Sequence, residues 1–236
     1  MTQLVFVPGL AADAVMWRHQ LSAMPAHLTP VVTDVHNRHA SLPKMAAALL
    51  REFSGALILC GASMGGMLAM EVVRQAPQRI KALALLGTNA RPETEAMRAL
   101  RAAAIELFAQ GRTEEVLRAN LPLAFHPSRA DDAALLQSYL DFVLHAGAAQ
   151  LIRQNRALME RPDARLHLGA VSCPTLVMCG DADQLTPPEC SREIAQLIKG
   201  SELVLLPQCG HMLTMERPAE VNEVLLAWLD RLAPAI

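Results

Sequence analysis

The stretch Leu57-Ile58-Leu59-Cys60-Gly61-Ala62-Ser63-Met64-Gly65-Gly66-Met67-Leu68 decides how this chain is read. Residues 57–60 are apolar without alternation, as in a strand buried on both faces of a parallel sheet. Residues 66–75 carry a helical pattern. Between the two, a serine stands with glycines two residues before and two after it. A sharp strand-to-helix turn that exposes a serine hydroxyl brings backbone segments into close contact, and glycine leaves room for that. The helix that follows aims its first N–H groups back at the turn, where they favour developing negative charge. Alone, the Gly-x-Ser-x-Gly pattern is a weak signal. Its strand–turn–helix setting makes it a candidate nucleophile.

Working outward, short apolar runs at 4–7, 31–35, 82–86, 175–179 and 203–206 read as further buried strands. Helical patterns fall between them at 16–24, 42–53, 188–197 and 219–232. Pro188 and Pro218 suit first-turn helix positions. This alternation predicts an α/β fold, a mostly parallel doubly wound sheet with helices on both faces. Residues 90–168 show no strand pattern. They read as helices at 93–110, 113–119, 131–144 and 148–161, punctuated by Pro122, Pro127 and Pro162. The expected organisation is a core of residues 1–89 and 169–236, with a helical cap inserted at 90–168.

Two more segments carry chemistry. Gly180-Asp181-Ala182-Asp183 directly follows the strand at 175–179, and a carboxylate there stands where open α/β sheets build their sites. Read alone it is equally a turn. Gly210-His211 soon follows the strand at 203–206. Ser63, an Asp and His211 then each follow a predicted strand, in the chain order of a Ser-Asp-His triad. Three weak signals in that order support one another.

With these residues in view, the chain resembles the α/β-hydrolase superfamily over essentially its whole length. The matching pieces are Val7-Pro8-Gly9-Leu10, Gly61 to Gly65, Gly180 to Asp183, and Cys209-Gly210-His211 followed by Glu216-Arg217-Pro218. It is most similar to small bacterial esterase-like members with a helical cap. The resemblance implies Ser63 as nucleophile, His211 as base and Asp183 as triad acid, with Asp181 the rival. It also implies an oxyanion hole built from the backbone N–H groups of Leu10 and Met64. The chain departs from the family in two places. Many members carry His-Gly where this chain has Pro8-Gly9, so the hydrogen bonding of that loop must differ. After the strand at 31–35, Asp34-Val35-His36-Asn37-Arg38-His39 replaces a familiar glycine-rich segment.

Composition narrows the function. The chain has 236 residues, 52% hydrophobic and 19% charged, with 21 basic against 23 acidic residues. That composition is globular, and no basic field exists for a nucleic-acid backbone. The longest uncharged stretch, 53–70, is interrupted by four glycines, so no membrane partner is expected. The apolar run at 4–7 ends at Pro8-Gly9, short for a secretion signal. Five cysteines cannot all pair within the chain, and no zinc-type spacing occurs among them. The expectation is a cytoplasmic protein with reduced thiols.

The expected activity is hydrolysis of a carboxylic ester of a small to medium, largely apolar substrate through an acyl-enzyme, with no cofactor and no metal. Lactone opening, for example of the enol-lactonase type, uses the same acyl-enzyme logic. Carbon–carbon hydrolysis and perhydrolysis use the same constellation. A non-catalytic small-molecule receptor on the same fold is the reading from another class. Sequence does not fix the substrate or the oligomeric state.

Other residues have blander readings. Asp34 reads as a turn carboxylate, and His36 and His39 as loop or pocket-rim residues. Trp17, Leu121, Phe125, Phe142 and Met159 read as packing rather than an acyl pocket. Arg98, Arg101, Arg112 and Arg118 read as a solvated helical face, and Cys209 as a small packing residue.

Overall fold

The structure, a computed structural model, describes residues 2–232. Among the described residues six parallel strands lie at its centre, and the inner four are built from mostly buried apolar runs. β1 (Thr2–Val7), β2 (Val31–Val32), β3 (Ala56–Ala62), β4 (Ile80–Leu86), β5 (Thr175–Gly180) and β6 (Glu202–Leu206) lie in the order β2-β1-β3-β4-β5-β6. The pairing is parallel throughout, with Val5 opposite Leu59 and Leu85 opposite Val177. Central strands β3 and β4 are sealed on both faces. Leu57, Leu59 and Cys60 on β3 and Leu83 to Leu86 on β4 are fully buried, which explains their unbroken apolar runs.

The sheet divides the core into two layers. One packs α1 (Arg18–Ala23) and the C-terminal helix against Leu4, Phe6, Ile58 and Met178. Trp17 lies in this layer, fully buried with its ring centroid 4.7 Å from that of Phe6. It is core packing rather than a wall of an acyl pocket. The other layer packs α2 (Val35–Arg38), α3 (Leu42–Glu52) and α4 (Met64–Gln75) against Val5, Val7, Leu59 and Leu83. Fully burying each such aliphatic side chain stabilises the fold by about 1.5–3 kcal/mol.

The strand expected at 31–35 is only two residues long. The Thr33 hydroxyl accepts the N–H of Val35, and Asn37 N–H donates to the Asp34 carbonyl. A side chain that satisfies the backbone locally turns it out of the sheet, and α2 begins. His36 is therefore fully buried, not a loop or rim residue. Asp34 is an exposed partner of Arg38 at 2.9 Å.

Between β4 and β5 the chain is helical among the described residues: α5 (Glu95–Ala109), α6 (Thr113–Ala124), α7 (Ala133–Met159) and α8 (Arg165–Leu168). Helix α6 continues past the expected end at 119, with Pro122 in its last turn. There a proline removes one hydrogen bond near an end that is already fraying. The two helices expected at 131–144 and 148–161 join without a loop, and Gly147, at φ 78° and ψ 163°, kinks them apart. Arg101 corrects the reading of a purely solvated arginine face. It and Arg161 both pair with Glu93 at 2.5 Å, and the Glu93 side chain is only 3% exposed. Arg112 and Arg118 do make exposed pairs, with Glu115 and Glu114.

Helices α9 (Pro188–Leu197), α10 (Leu213–Glu216) and α11 (Pro218–Leu232) complete the described chain. Among the described residues no helix is long and apolar enough to cross a membrane.

Candidate active site

Ser63 sits between β3 and α4 with φ 54° and ψ −120°. A non-glycine residue seldom adopts a positive φ, and this strain needs surrounding structure to impose it. The glycines provide the room. A β-carbon on Gly61 would lie 2.4 Å from the carbonyl oxygen of Gly65, and one on Gly65 would lie 2.0 Å from that of Val7. Ser63 N–H donates to the Leu86 carbonyl at 2.9 Å, and the Thr88 hydroxyl donates to the Ser63 carbonyl at 2.7 Å. The turn is thus tied to the end of β4.

Asp183 and His211 reach the same point from the ends of β5 and β6. Asp183 Oδ2 lies 2.8 Å from His211 Nδ1, and His211 Nε2 lies 2.9 Å from Ser63 Oγ. A carboxylate can only accept, so Nδ1 carries the proton and Nε2 is left to accept from the serine. The three residues sequence reasoning singled out are brought into one hydrogen-bonded line. Asp181, the rival acid, instead accepts the Cys209 N–H at 3.3 Å and takes no part.

Asp183 is 3% exposed. Its Oδ1 accepts the N–H groups of Leu185 and Thr186, and its Oδ2 accepts the Thr186 hydroxyl at 2.8 Å. Burial alone would raise its carboxyl. The His211 charge and hydrogen bond, together with the Thr186 donors, outweigh burial and hold it below the usual carboxylate value. Sequence reasoning missed Thr186, whose oxygen also lies 3.2 Å from His211 Nδ1. The available signal was an Asp followed three residues later by a Thr at a strand end, a self-capping turn.

The His211 segment is fixed by its own backbone. His211 and Met212 N–H both donate to the Ala124 carbonyl at the end of α6. Glu216, 2% exposed, accepts Gly210 N–H and His126 N–H. Burial outweighs these donors and keeps its carboxyl above the ordinary value.

Gly9 approaches from β1, where a β-carbon would lie 3.4 Å from Ser63 Cβ. The loop at 8–12 therefore borders the serine. Met64 is the first residue of α4, so its N–H has no partner within the helix. Among the described residues no group of three or more His, Cys, Asp or Glu gathers in a way that could hold a metal. Phe125, Tyr139 and Phe142 stack edge to face at 5.3 and 5.4 Å, which places these aromatics in packing.

A family model for the alpha/beta hydrolase fold matches residues 2–218. The chain belongs to the α/β-hydrolase fold family. This hydrolase is 28% identical to a protein of Serratia proteamaculans named as a candidate carbamate hydrolase, RutD, over 96% of this chain and 90% of that one. Among solved structures it is similar to a thermophilic esterase from Thermogutta terrifontis, with 26% identity and a TM-score of 0.87 over 98% of this chain and 90% of that one. The enol-lactonase from Burkholderia xenovorans LB400 shares the fold at 21% identity, with a TM-score of 0.87 over 98% of this chain and 92% of that one.

Proposed function

We propose that this α/β-hydrolase cleaves carboxylic esters through an acyl-enzyme, with Ser63 as nucleophile, His211 as general base and Asp183 as the acid that orients it. The observation that carries this reading is the unbroken line from Asp183 through His211 to Ser63, ending at a serine held in a strained turn.

The chemistry follows from the proton positions. Ser63 Oγ attacks the ester carbonyl carbon as its proton passes to His211 Nε2. Asp183, held ionised, stabilises the imidazolium and keeps Nδ1 protonated. The oxyanion is received by the N–H groups of Leu10 and Met64. Losing one such donor typically costs about 2.7–4 kcal/mol of barrier. The imidazolium then protonates the leaving alcohol. Water, deprotonated by His211, attacks the acyl carbon and restores Ser63.

The helices between β4 and β5 form the cap over this site, within residues 90–168. The substrate is a small to medium apolar ester. Lactones and carbamates present the same electrophilic carbonyl, and the relatives named above favour including both among the substrates tried. The test is hydrolysis of p-nitrophenyl esters from acetate to decanoate by wild type and Ser63→Ala, with labelling of Ser63 by a fluorophosphonate. Turnover and labelling that both vanish in Ser63→Ala are expected. A wild type that neither turns over nor labels points to a binding protein and overturns the reading.

A further inference from the structure

The loop that borders Ser63 is held by a residue from outside the core. Residues 9–12 form a tight turn, closed by Ala12 N–H to the Gly9 carbonyl at 3.2 Å. Its third residue, Ala11, is buried with φ 52°. A positive φ at that position distinguishes the form in which the central peptide, here Leu10–Ala11, is flipped relative to the commoner turn. Alanine resists it, so something must hold the peptide over.

Gln154 supplies that hold. It lies on α7 beyond the Gly147 kink and is fully buried. Ala11 N–H donates to its Oε1 at 2.6 Å. Its Nε2 donates to the His36 carbonyl and to Asn37 Oδ1, both at 3.1 Å. The amide orientation is fixed from both sides, since Ala11 N–H needs an acceptor and the His36 carbonyl needs a donor. His36 completes the grip by donating Nε2–H to the Ala12 carbonyl at 2.8 Å. Gly9 N–H is taken by Met16 Sδ at 3.3 Å. Within the turn, Leu10 N–H alone donates to no group among the described residues. This is also how the loop copes with Pro8: the side chains of Gln154, His36 and Met16 hold it.

We propose that Gln154 is a positioning residue for catalysis, clamping the Leu10–Ala11 peptide so that Leu10 N–H stays beside Ser63 as an oxyanion donor. A residue of the helical insertion thereby maintains the core's oxyanion site. The inference rests on the serine-hydrolase reading above.

Gln154→Met removes both polar atoms at nearly constant volume. Gln154→Glu keeps the acceptor for Ala11 and loses the donors. Gln150→Met is the control, because Gln150 shares the helix and bonds Asn37 Oδ1 at 2.5 Å without reaching the turn. On a p-nitrophenyl ester, Gln154→Met should lower kcat about 10- to 100-fold with KM changed little, as expected when a transition-state contact is misplaced. Inhibition by a trifluoromethyl ketone, whose adduct carries an oxyanion, should weaken by the same factor. Gln154→Glu should retain more kcat than Gln154→Met, although a buried carboxylate facing two acceptors makes it the less stable of the two. Gln150→Met should match wild type. Folded Gln154→Met with wild-type kcat, a loss confined to KM, or an equal loss in Gln150→Met overturns the clamp. If Gln154→Met does not fold, the crystal structure of the wild-type ketone adduct decides. An oxyanion on Leu10 N–H with the Ala11–Gln154 bond kept supports the clamp, and a turn released from Gln154 overturns it. Turnover that survives Ser63→Ala removes the serine reading and the clamp together; turnover that needs Ser63 but not Gln154 removes the clamp alone.

Discussion

Gly65 lies so close beneath the end of β1 that a β-carbon on it would stand 2.0 Å from the carbonyl oxygen of Val7. The nucleophile turn and the first strand are packed backbone to backbone. No side-chain rotation relieves such a clash. Gly65→Ala should therefore destabilise the protein by more than about 3 kcal/mol, beyond ordinary overpacking. For a chain of this size that is a fall in melting temperature of about 6 °C or more, read by thermal unfolding. Gly111→Ala is the contrast, because a β-carbon there meets nothing within 4 Å. Its cost is confined to the strain of a φ of 77°.

The two aspartates after β5 have unlike partners, Asp183 on the imidazole and Asp181 on the Cys209 N–H. Asp183→Asn should lower ester turnover by about 10⁴-fold, the scale on which a misoriented imidazole costs a triad. Asp181→Asn should lower it less than 10-fold. Steady-state rates of the two purified variants check this, and the opposite ranking would remove Asp183 from its role.

Glu93 carries an acid-stability prediction. Burial would raise its carboxyl, but the two guanidinium groups of Arg101 and Arg161 outweigh it and hold the pKa below the usual value. A lowered folded pKa means the stabilisation is complete above the unfolded value, near 4.3, and is lost as pH falls through the folded one. The loss should thus appear below about pH 4.5. Glu93→Gln should remove that part of the acid dependence and, at pH 7, cost about 3–5 kcal/mol, because Arg161 is left buried without its charge partner. Denaturant unfolding of wild type and variant from pH 3 to pH 7 measures both.

The thiols should divide sharply. Cys60, Cys179 and Cys209 are fully buried, and burial pushes all three up, Cys179 to about 12. A thiol reagent needs an accessible thiolate. Native protein titrated with such a reagent should react first at half-buried Cys173, without loss of turnover. Cys60, Cys179 and Cys209 should react only on unfolding. Rapid native labelling of Cys209 would contradict this.

The strands of the central sheet were legible because burial on both faces writes an unbroken apolar run, as at 57–60 and 82–86. The edge strand was less so. Val31 and Val32 pair with β1 alone, and the Thr33 hydroxyl, accepting the Val35 N–H, ended the strand in favour of a helix the sequence did not advertise. Buried Glu93 likewise converted Arg101 from an apparent surface charge into an anchor, because its pairing crosses elements.

For the site itself, sequence singled out the candidate residues. Ser63, Asp183 and His211 follow strands in a fixed order, and glycine is required wherever backbones touch. The family resemblance already favoured Asp183 over Asp181; the tertiary structure puts the Asp183 carboxylate on Nδ1, since which carboxylate faces it depends on how the ends of β5 and β6 lie together. It alone revealed Thr186 beside His211 Nδ1 and Gln154 on the 9–12 turn. Gln154 and Ala11 are 143 residues apart, and a hydrogen bond between such distant positions leaves no local pattern. It exists because the fold returns the helix after Gly147 to the end of the first strand.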